Sequence, residues 1–481
     1  MMQQKKLQKI SAVLLVLLLV FSLTACGKKE ESTSTTEEYV SVAEASDLVL
    51  PYSREDGINP YKATSLMNEG IMDLLYQGLY TIDKNYKPTA TLATEASFSG
   101  KTLTVKLNTD SSFSDGTYLN SSDVVYSFNL AKESTYYATG LSQFSSVQAT
   151  TANTVTFTLS RVNVYALSNL TFPIVKSGTA TDSSSIPVGS GSYTYAQAES
   201  GGLLTLQKGQ EGKTEQIYLL NVTDSDSLLN NLAIGNVDLV YDDICDGTLT
   251  RVDNAKEAQV DMNHLLFIGV NEKTAGLSEA ETRQNISAVL NRTDLISTGV
   301  DGYGTPSTLP FNPAWYGLDG VETQTAKQDA AKAAVAQTFT GTTLTILTDA
   351  DNAFKVKTAN AVAQQLANAG INTKVEALTY QEYAKQVVSG GYDLYIGEIK
   401  LTQDMDLSSL LSGELLDNFY YLWSGDLKVS DFVTAFTEDM PFIPIGFRNG
   451  VVCYTQDMTT EVETLPGSPF ANLQKVAKRS K

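Results

Sequence analysis

Phe113-Ser114-Asp115-Gly116-Thr117-Tyr118-Leu119-Asn120-Ser121-Ser122-Asp123-Val124-Val125-Tyr126-Ser127-Phe128 is the stretch on which the fold turns. Its Asp115-Gly116 pair signals a tight turn, because glycine supplies a positive φ without steric cost. Ser121 or Ser122 then offers the oxygen that caps a helix, with Asp123 near the positive N-terminal end and Val124, Val125 and Phe128 turned inward. Alternating apolar and polar residues over 103–107 and 155–159 read as half-buried strands on either side.

Outward from this block, helical and strand periods interchange, which marks an α/β chain rather than an all-β one. Upstream, 68–80 places Ile71, Leu74, Leu75, Gly78 and Leu79 on one side of a helix that ends in a turn at Asp83-Lys84-Asn85. Downstream, Ile186-Pro187-Val188-Gly189-Ser190-Gly191-Ser192-Tyr193 has the glycines of a phosphate loop. No Gly-Lys-Thr follows and the GxGxxG spacing fails at Thr194, so the segment reads as a crossover between lobes. Residues 228–234 are helix-like and 237–240 strand-like, and the strongly apolar strand 265–271 begins a second lobe. A helix over 282–290 follows. The order strand 343–347, helix 359–369, strand 372–378 predicts parallel pairing. A helix over 380–388 stops at Gly390-Gly391 and leads into a long extended stretch, 392–401. Near the end, 441–447 is a buried strand kept free of helix by its prolines.

The N-terminus gives an address. Lys5, Lys6 and Lys9 precede an apolar run from Ile10 that closes on Leu23-Thr24-Ala25-Cys26, the n-region, h-region and small-residue cut point of an export signal. The run is shorter than the roughly 20 apolar residues a membrane span needs. It resembles a bacterial lipobox, which implies cleavage after residue 25 and a lipid-modified Cys26 as the first mature residue. Acyl chains at about 0.8 kcal/mol per buried methylene then anchor the protein. Residues 26–45 are Ser, Thr, Glu and Lys with little that is apolar, a tether reaching on the order of 25 Å. Removing the 25-residue leader from 481 leaves 456 residues, enough for two or three subdomains. The leader takes three of the 34 basic residues and none of the 54 acidic ones, so the mature charge is 31 minus 54, or −23. Nucleic acid is disfavoured as a partner. Cys245 and Cys453 lack metal or redox spacing but leave a disulfide open, and His264 is the only histidine.

The order of these segments resembles the family 5 extracellular solute-binding proteins of ABC importers, the oligopeptide, dipeptide and nickel receptors. The carriers are Leu75-Tyr76-Gln77-Gly78-Leu79-Tyr80, the 113–128 block, 187–193, Thr282-Arg283-Gln284, 366–371 and Gly391-Tyr392-Asp393. The resemblance implies a two-lobed, periplasmic-binding-protein-like (type II) α/β fold with an extra subdomain inserted in the first lobe. Mapped here, 46–62, 185–265 and 440–481 form the first lobe, 63–184 the insertion and 266–439 the second lobe. It further implies a monomer that closes a cleft on a peptide or small polar solute by hinge motion, hands it to permease subunits, and uses no cofactor, metal or catalytic residue. The ligand lies extended against strand main chain.

By position, the resemblance makes Gly397, Glu398, Ile399, Lys400, Leu401 and Thr402 the second-lobe ligand strand, and Tyr137 an aromatic on the insertion that faces the cleft. Family members carry an acidic residue shortly after this strand, ahead of an Asp-Pro pair, that holds a peptide ammonium. Here the run is Thr402-Gln403-Asp404-Met405-Asp406-Leu407, with Leu in place of Pro. Either Gln403 or Asp404 falls at that position, depending on a one-residue shift. The competing classes are a secreted lipoprotein hydrolase, for which no GxSxG or HExxH is present, and a signalling or chaperone-like receptor on the same fold.

Overall fold

The computed structural model describes residues 47–198, 201–248, 252–321 and 328–478. The leader, Cys26 and the tether lie outside the described residues. None of the helices among the described residues is long and apolar enough to cross a membrane. The chain divides into two units.

The first unit takes 47–243, 252–260 and 450–478. It opens with strand β1 (Leu48–Tyr52) and helix α1 (Leu66–Leu75), whose Ser65 side chain caps the N-terminus by accepting from Asn68 N–H. The helix expected over 68–80 stops early. Tyr76 is extended at φ −133°, ψ 142°, and Gln77 bridges to Ile174, so tertiary pairing ends the helix where its apolar period would continue it. A short pair, β2 (Tyr80–Ile82) and β3 (Pro88–Ala90), precedes β4 (Ala93–Ser99) and β5 (Thr102–Leu107). Helix α2 (Ser121–Ala131) then leads to β6 (Phe144–Thr151) and β7 (Thr154–Leu159), and the four strands make an antiparallel sheet in the order β4-β5-β7-β6. Phe128 of α2 meets Phe144, Phe157 and Phe172 edge to face, with ring centroids 5.6–6.2 Å apart.

The cap of α2 is Asn120, not Ser121 or Ser122. The Asn120 side chain accepts from Ser122 N–H at 2.9 Å while the Asp123 carboxylate accepts from Asn120 N–H at 3.0 Å, a capping box shifted one residue earlier. Ser121 is spent elsewhere, donating to Thr151 carbonyl oxygen at 2.5 Å.

Strands β8 (Tyr193–Ala198), β9 (Gly201–Leu206) and β10 (Gln216–Asn221) pair antiparallel in sequence, and β1 adds parallel to β10. Helix α3 (Ser225–Ala233), capped by Asp224, and strand β11 (Leu239–Asp242) follow. The segment 186–193 stays inside this unit instead of crossing between lobes. Gly191 N–H donates to Leu75 carbonyl oxygen at 2.9 Å, Lys176 N–H to Val188 at 2.9 Å, Ser114 N–H to Gly189 at 2.8 Å and Ile174 N–H to Gln77 at 2.8 Å. Three of the stretches that carry the family resemblance therefore meet one another. A Cβ at Gly189 or Gly191 would collide with the backbone of Leu74 and Leu75 or the ring of Tyr76, which is why glycine is needed there.

The second unit takes 244–248 and Asp261–Asn449. Its strands are β12 (Lys256–Val270), β13 (Gly304–Pro306), β14 (Thr343–Asp349), β15 (Asn372–Leu378), β16 (Leu394–Lys400) and β17 (Phe442–Tyr454). Its helices are α4 (Ala280–Val289), α5 (Arg292–Gly299), α6 (Gln328–Thr338), α7 (Ala353–Asn368), α8 (Tyr380–Ser389), α9 (Gly413–Ser424) and α10 (Val429–Asp439). The strands run β17-β12-β16-β14-β15, with β13 on β17. β14 and β15 pair parallel around α7, as the strand-helix-strand order predicts. β12 and β17 are longer than their apolar runs and continue into the first unit, where β11 pairs antiparallel with the end of β17.

Arg283 explains the Thr282-Arg283-Gln284 signature. Only 3% exposed, its guanidinium donates to the carbonyls of Leu277, Ser278, Asp439 and Met440 at 2.6–3.0 Å and so satisfies the C-terminal end of α10. The disulfide left open between Cys245 and Cys453 does not form, since Cys453 is a free, buried thiol.

Candidate functional site

In the second unit the site is built on β16. Asp393 fixes its start: one carboxylate oxygen accepts from Thr345 N–H and the other from Thr274 Oγ1, each at 2.8 Å. Two parallel pairs with β14 follow, Ile346↔Leu394 and Leu347↔Tyr395, and there the β14 pairing ends. The hydroxyl of Tyr383, from α8, donates to Ile396 carbonyl oxygen at 2.7 Å where the ladder would otherwise continue. On its other side β16 pairs with β12 along its whole length, from Val270↔Leu394 to His264↔Lys400.

This arrangement leaves an edge. Leu401 N–H donates to Asn263 and Asn271 N–H donates to Asp393, so odd-numbered residues of β16 turn their main-chain groups toward β12. The alternation of an antiparallel ladder then turns those of Ile396, Glu398 and Lys400 the other way. Among the described residues no strand pairs this side of Glu398 or Lys400.

The side chains behind the edge are tightly held. Arg448, 2% exposed, donates from Nε to Glu398 Oε1 at 2.7 Å, and His264 Nδ1 lies 2.9 Å from the same oxygen. The adjacent Arg448 cation, more than offsetting burial, holds the Glu398 carboxyl well below the usual carboxylate range. His264 Nδ1 also lies 3.1 Å from Arg448 Nη2, so the three side chains form one buried hydrogen-bonded cluster. Burial, then the Arg448 charge, lowers the His264 pKa and keeps the ring neutral.

Beyond β16 the chain turns sharply, with Met405 at φ 59°. Asn263 Nδ2 donates to Thr402 carbonyl oxygen at 2.9 Å and to Leu401 at 3.3 Å, fixing the turn. Asp404 is 1% exposed and accepts from Thr402 Oγ1 at 2.5 Å. Burial and the Asp404 charge push the Asp406 carboxyl up to about 6. Gln403 is half-buried, and its Oε1 is fully buried with no hydrogen-bond partner. Gly397 is buried, and a side chain there would strike the Phe267 ring; Leu401 is buried, Ile399 and Thr402 are half-buried, and Lys400 is exposed.

In the first unit, Tyr137 is half-buried and packs edge to face on Tyr61 at 6.3 Å. Its neighbour Tyr136 donates to Thr64 carbonyl oxygen at 2.8 Å. Loss of solvation on burial, then the carboxylates of Asp73 and Glu69, push the Tyr137 phenol well up. Glu69 and Asp73 stand one helical turn apart on α1. Sequence reading singled out neither acid, nor Arg448, nor Tyr383, because nothing local marks any of them.

By structure, a putative peptide binding protein AppA from Clostridium difficile matches with a TM-score of 0.68 at 18% identity, covering 90% of this chain and 100% of that one. By sequence, the chain is 25% identical over 359 residues to the glutathione-binding protein GsiB of Pectobacterium atrosepticum, which covers 69% of each. It is 22% identical over 434 residues to the oligopeptide-binding protein AppA of Bacillus subtilis, covering 82% of this chain and 80% of the relative. The class is the type II periplasmic-binding fold. More narrowly, the sequence model for bacterial extracellular solute-binding proteins, family 5 (middle), matches residues 85–411, and the chain belongs to that family.

Proposed function

We propose that this chain is the lipid-anchored binding component of an ABC importer, and that it takes peptides as extended strands along β16. The open main-chain edge at Glu398 and Lys400 carries the reading. A peptide added there exchanges N–H and C=O bonds independently of its side chains, which gives affinity without demanding one sequence. Relatives named for oligopeptides and for glutathione support the ligand class. The lipobox-like Leu23-Thr24-Ala25-Cys26 supports the anchor and a permease partner in the same membrane. The charge of −23 on the mature chain fits a soluble receptor and gives nucleic acid no purchase.

The test is thermal unfolding of the purified mature chain against a peptide library, followed by calorimetry on the hits. A native-state ligand at 100 times its Kd stabilises by about 2.7 kcal/mol. Replacing alternate peptide N–H groups by N-methyl should then abolish binding, whereas a library that leaves the melting temperature unmoved rejects the peptide reading.

A further inference from the structure

Strands β14 and β16 diverge although neither one ends. β14 goes on pairing with β15 through Thr348↔Ala377 and Asp349↔Leu378, and β16 goes on pairing with β12 to His264↔Lys400, yet the ladder between them stops at Leu347↔Tyr395. Backbone direction identifies the bond that is not made. Thr345 N–H turns to the β16 side, where it meets Asp393, and Ala350 N–H turns to β15, where it meets Leu378, so the alternation aims Asp349 N–H at β16. The next rung would be Thr348↔Ile396, closed by Asp349 N–H on the Ile396 carbonyl. That carbonyl accepts from the Tyr383 hydroxyl instead, at 2.7 Å. Tyr383 is firmly held: it is 2% exposed, clusters with Leu347 and Val387, and meets Tyr395 edge to face at 6.4 Å. Its helix is pinned to the same corner by Tyr380 N–H, which donates to Asp351 Oδ2 at 2.9 Å. Burial pushes the Tyr383 phenol well up, so the group stays a donor.

We propose that Tyr383 is a positioning residue for the ligand: its hydroxyl takes the Ile396 carbonyl in place of Asp349 N–H, stops β14 from zipping along β16, and so keeps the main chain of Glu398 and Lys400 open for a peptide. The inference rests on the peptide reading above and deepens it. Without the hydroxyl, the buried Ile396 carbonyl is left unbonded, a cost that Asp349 N–H relieves by advancing the ladder one rung. The rung after that sets Glu398 N–H on the Asp349 carbonyl and closes the edge. A closed edge lowers peptide affinity and slows exchange of the Glu398 amide by the same factor, because each needs the open form.

Tyr383→Phe keeps the ring and removes the hydroxyl. Hydrogen–deuterium exchange of the Glu398 amide in the ligand-free mature chain, read by NMR, is set beside calorimetry with one library-derived peptide, and melting temperature is the folding control. The wild type should exchange this amide freely. Tyr383→Phe should slow it about tenfold and weaken the peptide by the same factor. Para-aminophenylalanine in place of Tyr383, which keeps a donor on the ring, should restore both. Where Tyr383→Phe melts too low, para-fluorophenylalanine fills the hydroxyl's space without donating and serves the same test. A hydroxyl that merely steadies the packing of α8 would leave the Glu398 amide exchanging as before or faster. That outcome in a folded variant overturns the assignment, as does a wild type whose Glu398 amide is protected without ligand. Slowed exchange with unchanged peptide affinity overturns the role toward the ligand. Slowed exchange beside a wild type that binds no peptide rejects the peptide reading and upholds Tyr383 as the stop to the ladder.

Discussion

At the scale of single residues, the buried charges decide what acid does to this protein. Asp406 is protonated more readily in the folded chain, where its pKa is about 6, than in the unfolded one at 3.8. The stabilising effect of its protonated form is therefore full below 3.8 and is lost as pH rises through 6. Asp406→Asn keeps an acceptor for Ser408 N–H and removes the penalty, so it should raise stability at pH 7 by on the order of 2 kcal/mol. The gain should vanish below pH 4, as read by urea unfolding across that range. His264 works in the opposite sense: its lowered pKa makes its contribution full above 6.5 and lost as pH falls. Arg448→Met would strand an ionised Glu398 among buried neighbours, and a loss of about 3–5 kcal/mol is expected in the same assay. None of this was legible in sequence. Arg448 and His264 lie 50 and 134 residues from Glu398, and only the strand register brings them together.

At the scale of elements, local chemistry was easier to read. The Asp115-Gly116 turn forms, with Gly116 at φ 82° and Asp115 accepting from Thr117 N–H at 3.0 Å. Lys176, hydrogen-bonded to Asp115, lowers that carboxyl to about 2. The helix after it was placed correctly, yet its cap was misread by one residue, because Asn and Ser compete for the role and Thr151 claims the serine. Asn120→Ala should cost about 1 kcal/mol in thermal or urea unfolding, while Ser122→Ala should cost far less. Where a neighbour overrides the local period, sequence reading fails: the first helix stops at Leu75 because Gln77 pairs with Ile174. The long strands β12 and β17 were each read in part: 265–271 covers the apolar C-terminal half of β12, whose first half alternates with polar residues, and 441–447 covers the start of β17, whose apolar run is broken by Arg448-Asn449-Gly450 before Val451.

At the scale of the whole molecule, the α/β class and the family were readable because the signature stretches are contacts with one another. Gln77, Ser114, Lys176, Val188 and Gly191 fold as a set, so their order along the chain is a record of packing. The candidate site was only partly readable: β16 was located, but its open edge depends on where β14 leaves it. The proposed membrane address rests on the first 26 residues alone. Cys26→Ala should shift the full-length chain from the membrane to the soluble fraction, and unchanged fractionation would reject lipid anchoring.

An open strand edge has a second consequence, for behaviour at high local concentration. Unpaired N–H and C=O groups are a template for any extended chain, including another copy of this protein. Between Ile396 and Lys400 the edge is short, Tyr383 covers its first carbonyl, and Lys400 sets a solvated charge at its end. These are the devices by which natural sheets discourage self-pairing. Lys400→Val should leave the melting temperature within a degree or two yet promote concentration-dependent self-association in sedimentation velocity, suppressed by a bound peptide. On the proposed function, one lysine guards the same edge that the peptide would pair with.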